Sequence, residues 1–198
     1  IASVAISTGA GNITQSSGTK SVAFGDDVLS NNTYSWTEGY FSNAYLYGQR
    51  ARGINNQILP RAGVDYYSLQ YSDLLPYRQS ALSSAGTMTL SCDGSGTTNL
   101  LIPNNNNRSW SVQIQWVAVV IAITGTATGV TVGDTITQVQ TLGFKRVGGT
   151  SSLVGTANTL STNSNTSMST ASMAYTAGAS QELALTFTAP TFAGGGTI

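Results

Sequence analysis

The sequence predicts an all-β chain in three parts: a Gly-rich β-coil of shaft repeats over residues 1–40, an aromatic neck over 41–80 and an antiparallel β-sandwich head over 81–198. Three observations carry that prediction. Only 8% of the residues are charged, against roughly a quarter in ordinary domains, while 40% are apolar and Ser, Thr, Asn and Gly crowd what is left. No segment has the apolar spacing of an amphipathic helix longer than two turns. From Ala81 onward, short runs that alternate apolar with polar residues are separated by turn signals.

The coil is read from two related units, Ser3-Val4-Ala5-Ile6 and Ser21-Val22-Ala23-Phe24, each followed by Gly and small polar residues. Short strands at a recurring spacing, separated by Gly-rich turns, indicate a solenoid whose single repeat cannot bury its own apolar face. Two such units are too few to stand alone. The next stretch is aromatic: seven of the nine tyrosines fall between Tyr40 and Tyr77, interleaved with Arg50, Arg52, Arg61 and Asp65 and punctuated by Pro60 and Pro76. It shows neither helical nor strand periodicity and reads as short strands and loops with rings packed and their polar tips wet.

In the third part, "TMTLSC" sets Met88, Leu90 and Cys92 against Thr87, Thr89 and Ser91, and "DGSG" follows as a turn. "TNLLIPNNNN" is a short strand ended by Pro103 and asparagines. "TGTATGVTVGD" is a long turn, and "TITQVQTLGFKRVGG" a strand with Ile136, Val139 or Leu142, and Phe144 in partial register around a bulge. The Ser/Thr-rich residues 150–178 read as small strands, and "QELALTFTAP" sets Leu183, Leu185 and Phe187 against Glu182, Ala184 and Thr186. Two packed sheets accommodate these segments.

One strand has too much apolar surface for a sandwich. In residues 110–123, Trp110, Val112, Ile114, Trp116, Ala118 and Val120 share one face; Ser111, Gln113 and Gln115 begin the other, which then turns apolar at Val117, Val119, Ile121 and Ile123. Only one face of a sheet meets the core of a sandwich, so a loop, the neck or another copy of the chain must cover those four residues. The Gly-rich repeat raises the same demand. Three chains wound about one axis satisfy both, which makes Val117, Val119, Ile121 and Ile123 the expected trimer interface.

Composition narrows the functional classes. Eight basic and eight acidic side chains cancel, with no basic cluster denser than Lys145-Arg146, so nucleic acid is not an expected partner. Histidine is absent and Cys92 is the single cysteine, which leaves no disulfide, no His-assisted nucleophile and only oxygen ligands for a metal; neither metal nor cofactor is expected. No apolar run reaches the roughly 18 residues of a membrane-spanning helix, and insertion is not expected. The chain opens on Ile1 without Met, as a fragment or a processed product would.

Two sets of residues resemble known modules. Ser3 to Ile6 and Ser21 to Asp26 resemble the S-V-A-x-G units of trimeric autotransporter heads and phage tail fibres, which stack as interleaved trimeric β-coils. "AYLYGQRA", "LIPNNNNRSW" and "VGGTSSLVG" together resemble a recurrent C-terminal module of phage and prophage tail-fibre proteins. That resemblance implies a viral structural protein: a non-enzymatic homotrimeric fibre or adhesin tip, on a virion or at an extracellular surface, that binds a cell-surface ligand, often a glycan. Such modules close with another hydrophobic strand, so a last strand after Ile198 is expected to be missing or supplied otherwise.

Within that reading, ligand-binding residues are expected on turns at one end of the sandwich: Asp93, Ser95 and Thr97; Asn105, Asn106 and Arg108; Thr126 and Asp134. Alternatives are an intramolecular trimerisation chaperone that cleaves itself, using Ser3 or Ser21 with Asp26 or Asp27, and a capsid or surface-layer subunit. A glycosidase is disfavoured, because the carboxylates are scattered and Glu38 and Glu182 are the only glutamates.

Overall fold

Fourteen residues separate Val22 from Trp36 and Trp36 from Arg50, and these three pair side by side in parallel strands. That spacing is the repeat of the coil. The computed structural model describes residues 2–7, 14–26, 28–40, 42–44, 47–53, 70–96, 100–101, 108–177 and 182–198, which divide into two compact units, Ile1–Tyr77 and Arg78–Ile198. Both are built of strands, with one short 3₁₀ turn at Thr166–Met168 and no α-helix among the described residues.

In the first unit β1 (Val4–Ser7), β3 (Val22–Asp26), β5 (Trp36–Tyr40) and β7 (Arg50–Gly53) form one parallel sheet, interleaved in sequence with β2 (Gln15–Ser16), β4 (Leu29–Ser30) and β6 (Asn43–Ala44), which form another. The last strand, β8 (Gln70–Asp73), runs antiparallel to β7 and ends the parallel stack. The coil therefore takes in Asn43–Ala44 and Arg50–Gly53, which sequence reading assigned to a neck; residues 54–69 lie outside the described residues.

Small residues fill this coil. Ala23, Thr37 and Ala51 point inward at equivalent positions, and Ser21, Ser30, Ser35 and Ser42 are buried with them. Ser21 Oγ donates to the Gly18 carbonyl at 2.6 Å, so its 2.7 Å contact with Ser16 Oγ takes a proton from Ser16. Fourteen residues later the arrangement recurs: Ser35 Oγ donates to the Asn32 carbonyl at 2.6 Å and meets Ser30 Oγ at 2.8 Å. In the third coil Ala44 and Gln49 replace the serine pair, and Gln49 Nε2 donates instead to Ser72 Oγ on β8 at 3.1 Å. The serine ladder ends where the stack ends. Close stacking also dictates the glycines: a Cβ on Gly25 would lie 2.0 Å from the Gly39 carbonyl oxygen.

The second unit is a sandwich. It is built from β9 (Thr87–Leu90), β10 (Leu100–Leu101), β11 (Arg108–Val119), β12 (Thr124–Gly125), β13 (Thr135–Val147), β14 (Thr150–Ser164), β15 (Ser172–Ala177), β16 (Glu182–Thr188) and β17 (Gly196–Thr197). One sheet has the order β11-β13-β14 and the other β10-β16-β15, with β9 also on β16. Trp116 and Ile136 from the first sheet share a core with Met173, Leu185 and Phe187 from the second, and the Trp116 and Phe187 rings meet edge to face at 5.8 Å. A second cluster gathers Leu142, Phe144 and Leu183, with Trp110 and Val112 packed against it.

A polar network crosses this core. Gln140 is buried, its Oε1 accepts from Trp116 Nε1 at 3.1 Å and from the Tyr175 hydroxyl, and its Nε2 donates to Thr159 Oγ1 at 3.0 Å. Burial pushes the Tyr175 hydroxyl up to about 12, so it remains a donor across the ordinary pH range. Such a network holds the register of β13 against the facing sheet, since a slip by one residue would strand these groups without partners.

Residues 150–164, read as small strands, form a single strand joined to β13 by Gly148-Gly149 at φ 58° and 85°. Those positive angles match the tight hairpin turn that suits the right-handed twist of strands. Bulges in the pairing interrupt it around Leu160 and Gly155. Its Ser, Thr and Asn side chains suit an edge that faces water. At the chain end, β17 pairs with β12, and Ile198 exchanges both backbone hydrogen bonds with Leu82.

Candidate functional site

Of the turn residues expected to bind ligand, Asp93, Ser95, Thr126 and Asp134 are engaged in hydrogen bonds within the fold. Asp93 Oδ1 accepts from Ser91 Oγ at 2.6 Å, from the Ser95 backbone N–H at 3.0 Å and from Ser95 Oγ at 2.8 Å. These donors, Ser91 foremost, lower the carboxyl to about 2. Because the folded value lies below the ordinary one, this contribution to stability is complete above about pH 4 and is lost as pH falls through 2. A carboxyl NMR titration should place the Asp93 midpoint near 2, and a midpoint near the ordinary 3.8 would show that the turn does not hold its donors.

Thr126 Oγ1 donates to the Gly195 carbonyl at 2.8 Å and accepts from the Gly195 N–H at 2.9 Å. Asp134 Oδ2 accepts from the Thr131 N–H at 2.8 Å and from Ser167 Oγ at 2.6 Å, which hold its carboxyl below the ordinary range, Ser167 first. Asp93 and Ser95 share one turn, while Thr126 and Asp134 are tied to different partners. Arg108 opens β11 opposite Arg146, and Thr97, Asn105 and Asn106 lie outside the described residues.

The apolar strand face is where the alternation placed it. Val117, Val119 and Ile121 are 62%, 50% and 56% exposed, and among the described residues nothing covers them. Ile123 is different. It is half-buried and packs on the core of its own chain, because β11 ends at Val119 and the alternation fails at Ala122, which is exposed beside Ile121. Ile123 is therefore withdrawn from the expected interface.

The coil has an apolar exterior of its own. On the outer face of its parallel sheet, Val4 and Ile6, then Val22 and Phe24, lie side by side, with Val4, Ile6 and Phe24 each about half exposed. At the next two strands the same positions become Trp36 and Glu38, then Arg50 and Arg52. Arg50 Nη2 and Arg52 Nε lie 3.3 and 3.8 Å from Glu38 Oε1. The outer face thus changes from apolar to charged along the stack.

Beside that change lies a cleft that sequence reading missed. It measures about 260 Å³ and is lined by Tyr34, Trp36, Gly48, Gln49 and Arg50. The Tyr34 and Tyr47 rings meet edge to face at 5.6 Å, Lys20 Nζ sits 5.2 Å from the Tyr34 ring centroid, and the Arg50 guanidinium 5.9 Å from that of Trp36. The signal was present in the sequence as the 14-residue period Gly25, Gly39, Gly53, which stacks Lys20 beside Tyr34 and Tyr34 beside Gly48.

Ser21, weighed as a self-cleavage nucleophile, is buried in the serine ladder with its proton committed to Gly18. Among the described residues no three His, Cys, Asp or Glu side chains converge on a point where a metal ion could sit, and no helix is long and apolar enough to cross a membrane. No protein-family model, curated protein or solved structure matches this chain.

Proposed function

We propose that the chain is a homotrimeric, non-enzymatic tip of a phage or prophage tail fibre, or of a similar extracellular adhesin, that binds a cell-surface glycan. The observation that supports this best is the inverted packing of the coil. Hydroxyl groups and small residues occupy its interior, while Val4, Ile6, Val22 and Phe24 face outward. Water-exposed apolar side chains in register on adjacent strands gain nothing for a lone chain and are covered when copies meet. Val117, Val119 and Ile121 make the same demand in the sandwich.

Trimeric stoichiometry comes from the resemblance of the Ser-Val-Ala units to interleaved trimeric coils. The contact would end where Glu38, Arg50 and Arg52 replace apolar residues, since burying those charges is costly. Light scattering of the purified protein across a range of concentrations should give the mass of three 20.5 kDa chains. A monomer at every concentration would overturn the proposal.

A further inference from the structure

Three coils place three different residues at one backbone position. Lys20, Tyr34 and Gly48, spaced by 14, have φ of 54°, 57° and 64°, so the coil requires a left-handed conformation there. Glycine adopts it freely, whereas a residue with a Cβ is strained there. The strained positions carry a lysine and a tyrosine, and the unstrained one a glycine that leaves open space beside them, with nothing within 4 Å of an added Cβ. Strain kept at adjacent positions around a cleft is an observation that points to use.

The groups gathered there have a definite chemistry. Tyr34, Trp36 and Tyr47 are 49%, 42% and 37% exposed, an unusual concentration of wet aromatic surface. Lys20 and Arg50 rest against two of these rings. The ion pairs among the described residues join Arg50 and Arg52 to Glu38, and Lys20 is in neither. Glu38 and Asp73, the latter opposite Arg50 on β8, offset Arg50 and Arg52, so the charge left over is that of Lys20, whose Nζ donates to the Tyr34 hydroxyl at 3.3 Å. An aromatic face packs against the C–H face of a pyranose ring, and the Lys20 ammonium beside the Tyr34 ring can donate to a carboxylate.

From this juxtaposition we propose that the cleft between the second and third coils binds an acidic sugar, with the pyranose ring against Tyr34 and Trp36 and its carboxylate at the edge of the cleft, on Lys20 beside the Tyr34 ring. The site deepens the glycan-binding part of the proposed function and rests on it. It is built from one chain, at the point where the outer row Val4, Val22, Trp36 gives way to Arg50.

Saturation-transfer NMR with 3′-sialyllactose, and with lactose as its neutral counterpart, tests the proposal on the intact chain. Sialyllactose should bind and lactose should bind at least 10-fold more weakly. Tyr34→Asn removes the ring, and Lys20→Asn the charge, with a residue that tolerates positive φ, so both variants should keep the coil. Each should weaken sialyllactose binding by 10-fold or more. Absence of sialyllactose binding, equal binding of lactose, or binding indifferent to both variants would overturn the site. Molar mass measured on the same samples separates the two ideas: a trimer that does not bind sinks the site alone, and a monomer that binds sinks the trimer alone.

Discussion

Gly25→Ala should abolish the folded coil while leaving the sandwich intact. The added methyl group would lie 2.0 Å from the Gly39 carbonyl oxygen, on a backbone at φ +142°. That oxygen belongs to β5, so relief requires moving a strand rather than a side-chain tip. Positive φ and overpacking each cost on the order of 1–3 kcal/mol, and here they act at one atom. A loss of about 3 kcal/mol or more is expected, enough to unfold a unit filled with serine and alanine.

Methyl NMR resonances of Val22, Ala23 and Val28 should collapse while those of Ile136 and Leu185 in the sandwich core stay in place. Gly48→Ala is the control. It sits at φ +64° with nothing within 4 Å, at the position where Lys20 and Tyr34 are tolerated, and should cost only about 1 kcal/mol. Equal effects from the two variants would refute the close-stacking account of the coil.

Phe24→Asp should convert the proposed trimer to folded monomers. Phe24 is 47% exposed in one chain, so a carboxylate there meets water and leaves the coil unharmed. In an assembly built on the outer face, the same carboxylate would be buried against two copies of itself, unpaired. Val119→Asp makes the equivalent test in the sandwich, at a residue 50% exposed. Light scattering should show a threefold fall in mass for Phe24→Asp, with methyl spectra that retain the coil. Retention of the trimer by both variants would mean that neither apolar face is the interface.

Much of this protein was legible from its residue order alone. Low charge, missing helical periodicity and alternating segments are enough for an all-β chain, because strand alternation is set by backbone geometry wherever one face is buried. Trp110 to Val120 accordingly point where their period put them. The exposed Val117, Val119 and Ile121 were identifiable for the same reason, and Ile123 was misplaced because the strand's period stops before it.

Only the tertiary structure decided what repeats in the coil. Ser-Val-Ala is absent from the third and fourth strands of its parallel sheet, where Trp36, Glu38, Arg50 and Arg52 stand instead, since the exterior of a solenoid is free to vary. What the stacking constrains is the inward small residue and the glycine beside its neighbour's carbonyl, a contact between residues 14 apart whose trace in the sequence is the period Gly25, Gly39, Gly53 and not the Ser-Val-Ala motif. The same stacking brings Tyr34 and Arg50 to one cleft, with Lys20 against the Tyr34 ring, and the fold likewise commits Asp93 to its own turn, Thr126 to Gly195 and Asp134 to Thr131 and Ser167. Residue type predicts which groups can bind; partners distant in sequence determine which remain available.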